Sequence, residues 1–145
     1  MTRSEQAVSK LVEGYNCAQS VFYVFCDDLQ IERDAALKLA SGFGAGMARN
    51  GEVCGAVTGG ILVLGAEHGR GENDDKTATE ATYARTQELM DEFARRHGSY
   101  LCRKLLNDCD LTTEEGRRSF AENDLFNKVC KPCVQSAVEI LESMG

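Results

Sequence analysis

The chemistry open to this chain is mostly sulfur chemistry. Cysteine stands at positions 17, 26, 54, 102, 109, 130 and 133, seven thiols in 145 residues. That density falls short of the ~8–10% that marks a disulfide scaffold, yet it is high for a chain long enough to bury its own core. A thiol becomes a nucleophile or a metal ligand as the thiolate, which the unpaired N–H groups and dipole of a helix N-terminus favour. Local sequence puts four or five of the seven at such places. Cys17 follows Asn16, a capping residue; Cys54 follows the Asn50-Gly51 turn and falls one or two residues inside an apolar helix. Cys102 comes three residues after Ser99, a cap behind Gly98, and Cys130 and Cys133 bracket Pro132, a residue favoured in a helix's first turn. Cys26 closes an apolar run, and Cys109 sits in an Asn-Asp-Cys-Asp loop whose carboxylates disfavour a thiolate, so both read as packing residues.

Cys130-Lys131-Pro132-Cys133 is a C-x-x-C, a spacing that brings two sulfurs within disulfide range at a helix start. An odd total forbids a fully paired intramolecular framework. Val134 occupies the place where a haem-attachment motif needs histidine. Other chemistry is sparse. His68 and His97 each precede a glycine at an expected helix end, which is ordinary C-terminal capping. There is no H-E-x-x-H and no G-x-S-x-G, and neither histidine has a glutamate three residues before it, as a di-iron carboxylate bundle would require.

The elements that must position these thiols are helices. Apolar residues recur at threes and fours and almost nowhere alternate. Tyr83, Thr86, Met90, Phe93 and His97 trace one face of a long amphipathic helix from about Asp74 to His97. Val134, Ala137, Val138 and Leu141 do the same near the C-terminus, and Leu37, Ala40 and Ser41 mark a shorter helix after Glu32. Thr112-Thr113-Glu114-Glu115 has capping-box spacing. Asp124 to Val129 carries a weak strand signal with no sheet for it to join. Two segments, Cys17 to Cys26 and Val53 to Ala66, are apolar all round, as helices buried inside a bundle are. The expected fold is all-α, a single domain over residues 1–145. It is a bundle of about seven or eight helices with two central buried ones.

Ten of the fourteen glycines fall between Gly42 and Gly71. No dinucleotide or P-loop fingerprint is completed there. Gly51-x-x-x-Gly55-x-x-x-Gly59 instead lays bare backbone along one helix face, where a second helix can approach closely. The net charge of −7 repels phosphate backbones and argues against a nucleic-acid partner. The longest apolar run, 14 residues from Val53 to Ala66, is shorter than the ~20 of a membrane span. Residues Met1 to Gln6 contain no apolar secretory segment, so a cytoplasmic location with reduced thiols is expected.

Cys54-Gly55-Ala56-Val57-Thr58-Gly59, with Cys17 before it and Cys102 and Cys130 after, resembles the C-GCAxxG-C-C family, small proteins with a suspected redox role. The resemblance spans nearly the whole chain. It implies a helical domain in which Cys17, Cys54, Cys102 and Cys130 are the motif cysteines and Gly55, Ala56 and Gly59 the central motif. A related helical domain in split-Soret cytochromes is associated with an iron–sulfur cluster.

Two sharp readings follow. In the first, Cys54 pairs with Cys17, Cys102 or Cys130 in a dithiol–disulfide cycle, with Cys130 and Cys133 as a local resolving pair; an enzyme of this kind would be a thiol–disulfide oxidoreductase. In the second, Cys17, Cys54, Cys102 and Cys130 hold an iron–sulfur cluster or a zinc ion. A third, plainer reading has the cysteines only packing a helical interaction domain. A redox partner is implied by the first, and the small-residue face leaves a homodimer open.

Overall fold

Side-chain caps start four of the helices. In the computed structural model, which describes residues 1–145, Thr2 and Glu5 form a capping box that opens α1 (Arg3–Val12). Asn16 and Gln19 form a second that opens α2 (Cys17–Tyr23). Helix α3 (Arg33–Ala40) follows, then α4 (Gly55–His68), and α5 (Lys76–His97) begins at the Asp75 cap. A single turn, α6 (Cys102–Leu105), precedes α7 (Glu114–Glu122) and α8 (Lys131–Ser143). The bundle is all-α: its one β feature is an isolated antiparallel bridge between Val53 and Leu101. No helix is long and apolar enough to cross a membrane.

Helices α2 and α4 form the centre, as their charge-free sequences predict. Gly55 to Gly60, Val63 and Leu64 of α4 are all buried, and Ala18, Ser20, Val21 and Phe22 of α2 face them. Helices α1, α5 and α8 wrap this pair, supplying Ala7, Leu11, Leu89, Phe93, Val134, Ala137, Val138 and Leu141 to the same core. The single hydroxyl in the buried part of α4, on Thr58, donates to the Phe43 carbonyl at 2.9 Å and so brings no unpaired polar group inside.

Glycine allows the close approach at two of the three expected positions. A β-carbon on Gly55 would lie 3.1 Å from both the Ala18 nitrogen and the Cys17 β-carbon, and one on Gly59 would press into the Ala18 backbone. Gly51 is not on this face. It lies in a turn at φ +74° with Arg103 beside it.

Four further expectations are corrected. Tyr83 is 61% exposed; the inner face of α5 is carried by Leu89 and Phe93, because the helix only meets the core over its second half. Thr113, not Thr112, caps α7, and its hydroxyl accepts from the Gly116 N–H at 2.9 Å. The apolar run after Cys17 leaves the helix at Tyr23, its last residues up to Cys26 folding as turns. Residues 126–130, where a strand signal stood, form a π-turn (Phe126–Cys130) that runs directly into α8.

Between α3 and α4 the chain makes an unusual left-handed turn. Ala45, Gly46, Met47, Ala48 and Arg49 all have φ between 53° and 74°, and the turn closes with an Arg49 N–H to Ala45 carbonyl bond of 2.9 Å. Four of these five residues carry a β-carbon, and each costs ~1–2 kcal/mol in this conformation. A β-carbon at Gly46 would meet that of Cys102 at 2.7 Å, so the turn is wedged against the start of α6.

Candidate functional site

Five cysteines line one cavity of about 180 Å³: Cys17, Cys54, Cys102, Cys130 and Cys133. They reach it from different elements. Cys17 is the first residue of α2 and Cys102 the first of α6, while Cys54 is the cap residue of α4, just outside the helix rather than inside it. Two backbone bonds tie the strands of chain that carry Cys54 and Cys102: the Cys54 N–H donates to the Tyr100 carbonyl at 2.8 Å, and the Cys102 N–H to the Glu52 carbonyl at 2.7 Å. Ser99 does not cap α6; its hydroxyl accepts from the Leu101 N–H instead.

Cys130 does not open a helix. Backbone from Leu125 onward is already helical, so Cys130 ends the π-turn and Cys133 lies one turn further along a continuous path. The Lys131 N–H reaches back five residues to the Phe126 carbonyl. That wider turn immediately precedes Pro132 and accommodates a ring that would otherwise crowd the preceding helical turn.

The sulfurs influence one another in two pairs, Cys54 with Cys133 and Cys17 with Cys130. This differs from pairing Cys54 with Cys17, Cys102 or Cys130, and from a bond between Cys130 and Cys133. Its origin is three-dimensional: α8 packs against both α2 and α4, so its two cysteines face different partners.

Among these thiols Cys54 has its pKa lowered. The hydrogen bond from Cys133 holds the Cys54 pKa below the ordinary thiol value against the opposing effect of burial, and the N–H groups of Ala56 and Val57 in the first turn of α4 assist. The neighbours move the other way. Donation to Cys54 and burial push Cys133 up; donation to Cys130, burial and the nearby Cys54 charge push Cys17 well up. Burial, then the Cys54 charge, raises Cys102 to about 12. Once Cys54 is ionised, a second negative charge in the same apolar chamber is disfavoured.

The remaining cysteines stand apart. Cys26 is fully buried with its thiol on the Tyr23 carbonyl at 2.9 Å, and Cys109 bonds the Gly116 carbonyl at 3.0 Å. Neither lines the cavity. Of the central-motif residues, Gly55 lines it, while Ala56 and Gly59 are buried behind it and act on the helix contact and the Cys54 charge.

Several lining residues had no sequence signal. Leu11, Tyr15, Ala45, Phe120 and Phe126 enclose the chamber from regions far apart in the chain, and simple hydrophobic periodicity does not mark them as site residues.

No three His, Cys, Asp or Glu side chains converge on a common point as ligands of a single metal ion do.

Comparison with known proteins agrees with a cysteine-centred family. A family model described as "Putative redox-active protein (C_GCAxxG_C_C)" matches residues 15–144. An uncharacterised protein of Archaeoglobus fulgidus is 28% identical over 142 residues, covering 93% of this chain and 87% of its own length. No solved structure was found to match.

Proposed function

The chain belongs to the C_GCAxxG_C_C family, and on that premise we propose that it is a thiol–disulfide redox protein in which Cys54 is the attacking thiolate and Cys133 resolves it. The observation that carries this reading is the convergence of Cys54 and Cys133 on one apolar cavity, with Cys54 at the start of a buried helix and its pKa lowered by Cys133. A thiolate and a thiol held in one chamber need no search for each other: oxidation joins the two sulfurs and releases two electrons and one proton. Cys17 and Cys130 form a second couple on the same cavity wall. Cys130 and Cys133 lie three residues apart on one helical path, so thiol–disulfide exchange between the couples needs no domain motion. In this reading Cys102 stays a thiol and supports the chamber. A reducing compartment such as the cytoplasm would hold these thiols reduced at rest.

The test is disulfide mapping. Fully reduced protein is treated with a stoichiometric thiol oxidant, blocked, digested and analysed by mass spectrometry. A Cys54–Cys133 linkage formed first, with Cys17–Cys130 appearing at higher oxidant, is the expected result. Seven free thiols after oxidation, or first linkages confined to Cys26 or Cys109, would overturn the reading.

A further inference from the structure

The cavity that holds the thiolate restricts what can reach it. Its walls are hydrophobic at 14 of 16 positions, the other two being Asn16 and Gly55. Asn16 is partly engaged: its side-chain oxygen accepts from the Gln19 N–H at 2.9 Å and its amide donates one N–H to the Ser41 carbonyl at 2.9 Å. No charged side chain lines the chamber. A ligand carrying a carboxylate or an ammonium group would therefore lose its hydration with no counter-charge in return. An anionic ligand would also approach the Cys54 thiolate on a protein of net charge −7.

Size sets a second limit. A dry cavity of ~150 Å³ lined by leucine, isoleucine and phenylalanine takes up benzene. At about 180 Å³ this chamber has room for slightly more. Reaction chemistry sets a third. Cleaving an O–O bond leaves an alkoxide or hydroxide, a strongly basic leaving group that a chamber without charged side chains leaves with no counter-charge. A disulfide leaves as a thiolate, which is stable near neutral pH without such help.

We propose that the chamber admits small uncharged disulfides, of about the size of diethyl disulfide, and that Cys54 reduces them there. The proposal rests on Cys54 and Cys133 acting as the redox pair. The Cys54 thiolate attacks one sulfur of the disulfide, forming a mixed disulfide and expelling one alkyl thiolate, which takes a proton from water as it leaves. Cys133 then attacks the Cys54 sulfur. The Cys54–Cys133 bond forms, the mixed disulfide breaks, and the Cys133 proton passes to the second departing thiolate. One disulfide and two cysteine thiols become two small thiols and one protein disulfide. An external dithiol returns the protein to its starting state.

The test is a single-turnover comparison with the full, reduced chain. Diethyl disulfide, the dicationic cystamine and anionic oxidised glutathione are each added, with thiol release followed in time. Each rate is divided by that of the same disulfide with a free small-molecule thiol, which removes differences in intrinsic reactivity. Diethyl disulfide is expected to exceed both charged disulfides by at least about 30-fold in normalised rate. Equal or faster reaction of either charged disulfide would overturn the proposal. Diamide, a thiol oxidant, is run in parallel. A Cys54–Cys133 linkage with diamide but no preference for diethyl disulfide overturns the chamber's selectivity alone; no such linkage with any oxidant overturns the redox pair as well.

Discussion

A β-carbon added to Gly59 would stand 2.6 Å from the carbonyl oxygen of Ala18 and 2.9 Å from its α-carbon. The contact is backbone against helix, with no flexible side chain to move aside. It fixes the separation of α2 from α4, and through it the distance between Cys17 and Cys54, which begin the two helices. Gly59→Ala gains up to ~1 kcal/mol in helix propensity but must push the helices apart, at a cost of ~1–3 kcal/mol. A net loss of stability is expected. Gly65, in the same helix, has nothing within 4 Å of an added β-carbon, so Gly65→Ala is expected to stabilise by ~0.5–1 kcal/mol. Urea denaturation of the two variants checks the opposite signs; two changes of the same sign would refute the contact's role.

Cys54 should be the first thiol alkylated. At neutral pH, iodoacetamide is expected to modify it ahead of Cys17, Cys102 and Cys133, whose pKa values burial and hydrogen bonding raise. The midpoint of its pH–rate profile should lie below that of an ordinary thiol. Cys133→Ala removes the hydrogen bond that contributes most to this shift, so the midpoint moves up. Site-resolved mass spectrometry across a pH series gives both numbers. An unchanged midpoint in the variant would show that Cys133 does not activate Cys54.

Much of this site was legible before any coordinates, and the part that was not has a common physical cause. Asn16 and Asp75 mark helix starts because their side chains accept local N–H groups, a short-range property that sequence carries directly. The charge-free runs around Val21 and Val57 located the central pair for a similar reason. Which sulfur meets which depends on how α8 crosses α2 and α4, and no local pattern records that crossing. Two misplaced features show the same division. Pro132 suggested a helix beginning at Cys130, yet a π-turn carries the backbone through it. Gly51 shares a four-residue spacing with Gly55 and Gly59 but occupies a positive-φ turn, a conformation its spacing cannot announce.

The left-handed turn gives a prediction of its own. Ala48 is exposed and has φ 58°, so its side chain contributes strain and almost no packing. Replacing it with glycine removes ~1–2 kcal/mol of conformational cost and adds ~0.5–1 kcal/mol of unfolded-state entropy. Ala48→Gly is expected to stabilise by ~0.5–1 kcal/mol, read as a higher urea midpoint at unchanged slope. A destabilised variant would place the turn's conformation elsewhere.

Alkaline pH should destabilise the reduced protein through its buried thiols, and Cys102 offers the cleanest measure. Its pKa rises to about 12 in the folded chain, chiefly by burial, against an ordinary thiol value of ~8.5 when unfolded. Below pH ~8.5 both states hold the proton, and the stability this thiol contributes is fully present. As pH climbs from there towards 12, the unfolded chain releases the proton while the folded one keeps it, so stability falls by ~1.4 kcal/mol per pH unit. Cys17 and Cys133, also raised, act in the same direction. Cys54 acts in the opposite one: its depressed pKa adds stability above the unfolded value and loses it as pH falls through the folded value. The comparison that isolates Cys102 is between the parent protein and Cys102→Ala, both held reduced. The variant's stability at pH 7 is lower by ~1–3 kcal/mol for the lost packing. Its decline between pH 9 and 10.5, however, should be shallower by close to one proton's worth, bringing the two curves together as pH rises. Parallel curves would mean that Cys102 ionises as readily in the folded protein as in the unfolded one.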